Sequence, residues 1–241
     1  MNKLYCYDGK CFKWICDDGN MYMVKILQDH DAWSPREYDE HFSEMACWHR
    51  RYALGDKIDR EIDPEEYWQN LVSKFVSDVD TEELSISDCQ KLLKEKIFWM
   101  DLYLYDHSGI TMSCSKHGNP FTCPWDSGQV GFIWISRKDV EEYYGVHGQD
   151  WKETAESILK DEVKEYDYYL RGDVYGFQLL EYVSDGEDSE WEDVDSIWGF
   201  YGDDMMTNGM GDELPGFKKA FEADEIVEGK QVAHTYYTYE F

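Results

Sequence analysis

The sequence predicts an α+β protein: a mixed, mainly antiparallel sheet with helices packed on it and an acidic surface. Three observations predict it. Residues 97–136 hold the longest apolar stretch, broken by turn residues. Residues 10–27 alternate as a hairpin does, and residues 63–75 and 151–170 carry helical stripes with caps.

The elements follow in order. Residues 10–16 place Lys10, Phe12, Trp14 and Cys16 against Cys11, Lys13 and Ile15, a strand pattern. Asp17-Asp18-Gly19-Asn20 is a turn signal, and residues 21–27 return as the second strand. Ser34-Pro35-Arg36-Glu37 reads as a capping box with Pro at the first helical position, so a short helix is expected there. Residues 45–52 read as a strand or a helical turn. Asp63-Pro64 opens a helix carrying Tyr67, Leu71 and Phe75 on one face. Ser85 leads a second helix that ends near Lys96.

Residues 97–105 and 130–136 are rich in aromatic and aliphatic side chains and read as buried strands. The polar insert between them carries Asp106-His107-Ser108-Gly109 and Pro124-Trp125-Asp126-Ser127-Gly128. Loops on a rigid sheet are where function resides most often. Ser136 then caps a helix that ends at Gly145, and a long helix over 151–170 is closed by Gly172. Residues 173–182 and 195–202 read as strands, with residues 184–194 as an acidic hairpin tip between them. Residues 215–223 suggest a helix, and residues 232–241 a last strand.

The whole chain of 241 residues is taken as a single domain, 1–241, with a small β-rich lobe at 1–56 as an alternative division. No apolar run reaches 18 residues, and the first residues lack an apolar leader pattern. The expectation is a soluble, cytoplasmic protein with no membrane contact. The seven cysteines lack any Cys-x-x-Cys pair, so packed thiols are expected.

Charge dominates the composition. There are 52 acids against 23 bases, a net of −29. Lys outnumbers Arg and Cys is frequent, which speaks against salt adaptation. Spread over about 11,000 Å² of surface, the charge is one per roughly 400 Å². Duplex DNA carries roughly one per 100 Å² of its cylinder. Imitating DNA therefore requires the acids to be gathered, and they are. Between Asp56 and Asp88 there are 11 acids and 3 bases. Between Gly172 and Phe217 there are 13 acids and no Lys or Arg.

Several motifs resemble a family of uncharacterised proteins carried by phages and plasmids. They are Ser34-Pro35-Arg36-Glu37, His49-Arg50-Arg51-Tyr52 with Leu54-Gly55-Asp56, Asp106-His107-Ser108-Gly109, Cys123-Pro124-Trp125-Asp126-Ser127-Gly128-Gln129-Val130-Gly131, and Tyr166-Asp167 with Leu170 and Gly172-Asp173-Val174-Tyr175-Gly176. The resemblance runs over residues 29–202. Where the family reads Arg-Glu-Trp-Asp-Asn, this chain has Arg36-Glu37-Tyr38-Asp39-Glu40. The resemblance implies a mobile-element setting and no particular activity.

No phosphate-binding loop, nucleophile elbow or zinc-protease motif is present. His49-Arg50-Arg51 is the one dense basic cluster; it reads as part of an internal ion-pair network, with an anion site as the alternative. Asp106, His107, Cys123 and Asp126 are weighed in the same way: turn residues that cap backbone groups, against a metal or general-base site.

Two function classes follow. The first is a non-enzymatic inhibitor of a host nucleic-acid-targeting defence system, a CRISPR effector or restriction enzyme. It mimics nucleic-acid phosphates through Asp185, Glu187, Asp188, Glu190, Trp191, Glu192, Asp193, Asp195, Asp203 and Asp204. Its partner is a basic nucleic-acid-binding host protein, with no direct nucleic-acid binding and no cofactor or metal. The second is a metal-dependent hydrolase or nuclease acting on nucleic acid or a nucleotide signal, with His49, Arg50, His107 and Asp126 converging.

Overall fold

The computed structural model describes residues 4–7, 10–37, 41–59, 61–146, 148, 150–184, 189–222 and 226–228. In chain order the elements begin with β1 (Leu4–Tyr7), β2 (Cys11–Ile15), β3 (Met21–Gln28), β4 (Glu44–Cys47), α1 (Pro64–Phe75) and α2 (Ile86–Leu93). Next come β5 (Ile97–Asp106), β6 (Ile110–Ser115), β7 (Ser127–Ser136), α3 (Arg137–Tyr144) and α4 (Trp151–Arg171). The last are β8 (Val174–Ser184), β9 (Ser189–Tyr201), α5 (Met210–Glu213), α6 (Phe217–Phe221) and β10 (Ile226–Glu228). The α+β class is as the sequence predicts, with two sheets in place of one.

The packing forms two compact units. One joins the described residues up to Trp33 with those from Gly172 onward; the other is Ser34–Arg171. This divides the chain elsewhere than at residue 56, because β4 pairs with β7 in the second unit. The first unit is closed by β3 pairing with β8, seven residue pairs between segments about 150 positions apart. No local pattern announces such a pairing.

The first unit's sheet runs β10-β1-β2-β3-β8-β9, antiparallel except for the β1–β10 pair. Phe12, Trp14, Tyr22, Val24, Phe177 and Leu179 line one face and pack with Met210 of α5, Phe217 and Ala220 of α6, and Leu214 between them. Trp14 donates its indole N–H to the Pro215 carbonyl at 2.8 Å, which satisfies the polar end of a buried ring. The opposite face holds Cys11, Met23 and Leu180, with Trp191 against them.

The second unit's sheet runs β4-β7-β5-β6 and is wholly antiparallel. Alternation along β5 and β7 sorts its side chains onto two buried faces. Met100, Leu102, Leu104, Ile133 and Ile135 meet α4 through Ala155, Ile158, Leu159 and Val163. Ile97, Phe132 and Trp134 meet α1 and α2 through Trp68, Leu71, Val72, Cys89 and Leu93. A sheet covered on both faces explains why its central strands read as continuous apolar runs.

The helix caps behave as their sequences dictate. The Asp63 carboxylate accepts from Glu65 and Glu66 N–H at 2.9 Å each, and Ser136 Oγ accepts from Asp139 N–H at 3.0 Å. Gly145 (φ 64°) and Gly172 (φ 73°) end α3 and α4 in the left-handed region, which glycine enters without a Cβ clash. The expected helix after Ser34 differs. Arg36 N–H bonds Ser34 Oγ and Glu37 N–H bonds the Ser34 carbonyl, so Ser34–Glu37 is a turn; residues 38–40 lie outside the described residues. The strand expected over 232–241 also lies outside them. No helix among the described residues is long and apolar enough to cross a membrane.

Candidate functional site

Three places in the fold gather polar side chains, and each grows from a different structural element.

The first is the β8–β9 ribbon. The expected acidic tip over 184–194 is instead mostly ladder: β9 begins at Ser189 and pairs with β8 throughout. Asp185, Glu187 and Asp188 lie outside the described residues. Glu190, Glu192, Asp193 and Asp195 stand exposed on β9, the edge strand of its sheet. Cross-strand pairs are Val183 with Glu190, Tyr182 with Trp191, Glu181 with Glu192, and Leu180 with Asp193. A register shift follows, so that Asp195 faces Leu179.

The ribbon's acids do not share one face. Trp191 and Tyr182 lie side by side with ring centroids 5.3 Å apart and planes tilted by 60°, and the Lys13 ammonium lies 4.8 Å from the Trp191 ring. Burial lowers the Lys13 pKa to about 8. Trp191 is therefore seated on the sheet. Asp193 accepts from the Gln178 side chain. Glu190 and Glu192 point to the other side, where Glu192 stands directly opposite Glu181. Asp203 and Asp204 follow in a turn; Asp204 Oδ1 accepts from Met206 N–H at 3.0 Å and is a turn-capping group.

The second place is one end of the second sheet. β4 leaves it toward His49, the β5–β6 turn carries Asp106 and His107, and the loop into β7 carries Cys123, Trp125 and Asp126. Antiparallel pairing brings all three to the same end. His107 Nδ1 lies 3.3 Å from Asp126 Oδ2, and the Cys123 thiol donates to that same oxygen at 3.3 Å. Asp106 N–H bonds the Asp126 carbonyl at 2.8 Å. Arg51 pairs with the Asp106 carboxylate, and the Tyr52 hydroxyl donates to it at 3.3 Å.

His49 completes this end. It stacks on Tyr52 with ring centroids 5.0 Å apart, and its Nδ1 accepts from Tyr52 N–H at 3.2 Å. Burial, and then the charge of Arg51, lower its pKa. His49 is thus a neutral ring that holds the loop. Arg50 is exposed and acts on His49 by its charge. The structure therefore brings His49, His107 and Asp126 into one contact chain, with Arg50 beside it. Arg51 and Tyr52 are not among the catalytic candidates of the sequence, yet their contacts join His49 to Asp106. At this end of the sheet His107 has a carboxylate at Nδ1 and an exposed ring, an arrangement a general base needs. Among the described residues no group of three or more His, Cys, Asp or Glu side chains gathers as a metal ion needs.

The third place escaped the sequence reading. Arg36 is buried, with its side chain 2% exposed. Its guanidinium donates to Asp56 from Nε (2.8 Å) and Nη2 (2.7 Å), to Glu162 from Nη1 (2.7 Å) and to the Ser43 carbonyl (2.9 Å). Asp56 also accepts Met45 N–H at 2.7 Å, and Glu162 accepts Phe42 N–H at 2.9 Å. The internal ion-pair network expected at His49-Arg50-Arg51 does not form there: Arg50 and Arg51 are exposed, Arg51 pairing with Asp106, and the buried network is a separate one centred on Arg36.

A cavity of about 580 Å³ opens beside it, lined by Glu37, His41, Glu44, Lys57, Tyr166 and Tyr169 among others. Arg36 spends its N–H groups on Asp56, Glu162 and Ser43, so it offers little to an anion there. Burial pushes the Cys47 thiol in the cavity wall up to about 12, and an un-ionised thiol is a poor nucleophile. Nothing in the local sequence marks Arg36 as central, because its partners lie 20 and 126 positions away.

No protein family, no curated protein and no solved structure matches the chain.

Proposed function

We propose that this protein is an inhibitor borne by a phage or other mobile element, which occupies the basic nucleic-acid channel of a host defence protein in the host cytoplasm. The carrying observation is the Glu181–Glu192 pair. Like charges directly opposite on a ladder destabilise it by roughly 0.2–1 kcal/mol. A cation placed between them by a partner relieves that repulsion, so the cost is returned on binding. Charge density supports the same reading: Glu190, Glu192, Asp193 and Asp195 lie exposed along about 17 Å of an edge strand. The mobile-element setting rests on the resemblance of its motifs, and a CRISPR effector or a restriction enzyme is the target class.

The test is inhibition of nucleic-acid binding by such an effector over a salt series. Wild type competes, and its affinity falls as salt rises. Replacing Glu190, Glu192, Asp193 and Asp195 by Lys abolishes competition. Undiminished competition by that variant sinks the reading.

One observation favours a second reading, a hydrolase acting on nucleic acid or a nucleotide signal. His107 and Asp126 form an oriented pair in the same contact chain as His49 and Arg51. Turnover of a cyclic dinucleotide by wild type and its loss in His107→Ala would favour it; no turnover by wild type leaves the inhibitor reading.

A further inference from the structure

The second unit carries an aromatic surface that neither reading uses. Phe42 (40% exposed), Tyr143 (63%) and Tyr144 (44%) come from the segment before β4 and from the end of α3. Phe42 packs on Tyr143 at 5.0 Å and on Tyr144 at 5.5 Å between ring centroids. Two exposed tyrosine rings packed on an exposed phenylalanine are an uncommon use of surface, and such clusters mark interaction sites.

The surface is held in shape before anything binds it. Phe42 N–H is anchored on Glu162, which the buried Arg36 holds in turn. Tyr143 and Tyr144 sit on a helix whose Val140 is buried in the core. Little ordering remains to be done on association.

Charge decides what can cover it. Asp161 and Glu162 of α4 act on the Tyr144 hydroxyl and raise its pKa, after burial itself. Among the described residues, Arg36 is bound to Asp56 and Glu162, and Lys138 is 4.0 Å from Glu142. A nucleic acid or an anionic membrane carries the wrong sign for a chain of net −29, and so does a second copy of it. An exposed aromatic platform near Asp161, on a chain of net −29, fits a planar cation. Guanidinium stacks on a ring face and presents its N–H groups edgewise to carboxylates, which an ammonium cannot do.

We propose that the Phe42–Tyr143–Tyr144 surface docks an arginine-bearing basic segment of a partner protein. This does not depend on the β8–β9 ribbon or on nucleic-acid mimicry. The ribbon supplies charge without regard to the kind of cation; the rings discriminate arginine from lysine.

The experiment compares fluorescein-labelled nona-arginine with nona-lysine by anisotropy at near-physiological salt. Wild type binds nona-arginine about fivefold more tightly, the scale of one exposed guanidinium stack. Tyr143→Ser, at an exposed position, brings the two affinities within about twofold and leaves nona-lysine unchanged; Tyr143→Phe keeps the preference. Replacing the four β9 acids by Gln weakens both peptides together and keeps the ratio. Equal binding of the two peptides by wild type overturns the proposal, and so does an arginine preference that survives Tyr143→Ser.

Discussion

Both carboxylate oxygens of Asp56 are held by one guanidinium, that of Arg36, at 2.8 Å from Nε and 2.7 Å from Nη2. The same guanidinium reaches Glu162 on α4, so one buried side chain joins the segment before β4, the loop after it and the long helix.

Removing Arg36 leaves two carboxylates close together without their counter-charge. Arg36→Met should destabilise the second unit by about 3–5 kcal/mol. Arg36→Lys should not rescue it, because an ammonium cannot bridge both acids in the same plane. Hydrogen exchange at Met45, whose amide bonds Asp56, reports the loss directly.

His49 gives a pH dependence with a definite sign. Burial and the Arg51 charge lower its folded-state pKa, while Asp106 opposes them. The unfolded chain therefore takes up a proton first as pH falls. Stability present above about 6.5 is lost as pH drops through the lower folded value. Protonation also removes the acceptor that Tyr52 N–H uses. His49→Asn, whose side-chain oxygen can accept that bond, should lose less stability than wild type between pH 7 and pH 5 in thermal melts.

Gly131 tests the β4–β7 contact. A Cβ there would run into the Ala46 carbonyl oxygen and lie 2.9 Å from Cys47 Cα. Both are backbone in a paired strand and cannot swing aside. Gly131→Ala should cost about 1–3 kcal/mol or more, read by chemical denaturation. Gly128→Ala, with open space around its Cβ position, serves as the control.

Glu192 separates stability from binding. Glu192→Gln removes the repulsion with Glu181 and should raise the first unit's stability by roughly 0.2–1 kcal/mol. Under the inhibitor reading it should also weaken competition for the basic channel. Higher stability with unchanged competition would detach the like-charge pair from function.

The legible parts of the fold were those written in short windows. Asp63-Pro64 and Ser136 start helices because a side-chain oxygen and the N–H groups it caps lie within three residues. The apolar alternation of β2 and β3 around Asp17-Asp18-Gly19-Asn20 needs nothing from outside the hairpin. The Ser34 turn misled because a capping pattern permits a helix without supplying the packing that sustains one. At the loop end, Asp106, His107 and Asp126 could be picked out as polar residues in apolar surroundings. Their geometry could not, since it depends on the register of β5 on β7.

By itself, the sequence determined the α+β class, most of the helix and strand positions and the excess of negative charge, because these follow from periodicity, caps and composition. The tertiary structure alone decided that the chain splits into two sheets, that Arg36 rather than Arg50 or Arg51 lies at the ion-pair centre, and that Glu192 faces Glu181. Each of those is a meeting of segments far apart in the chain. Which segments meet is fixed by the burial of whole apolar faces and by strand register, and both are properties of the assembled molecule.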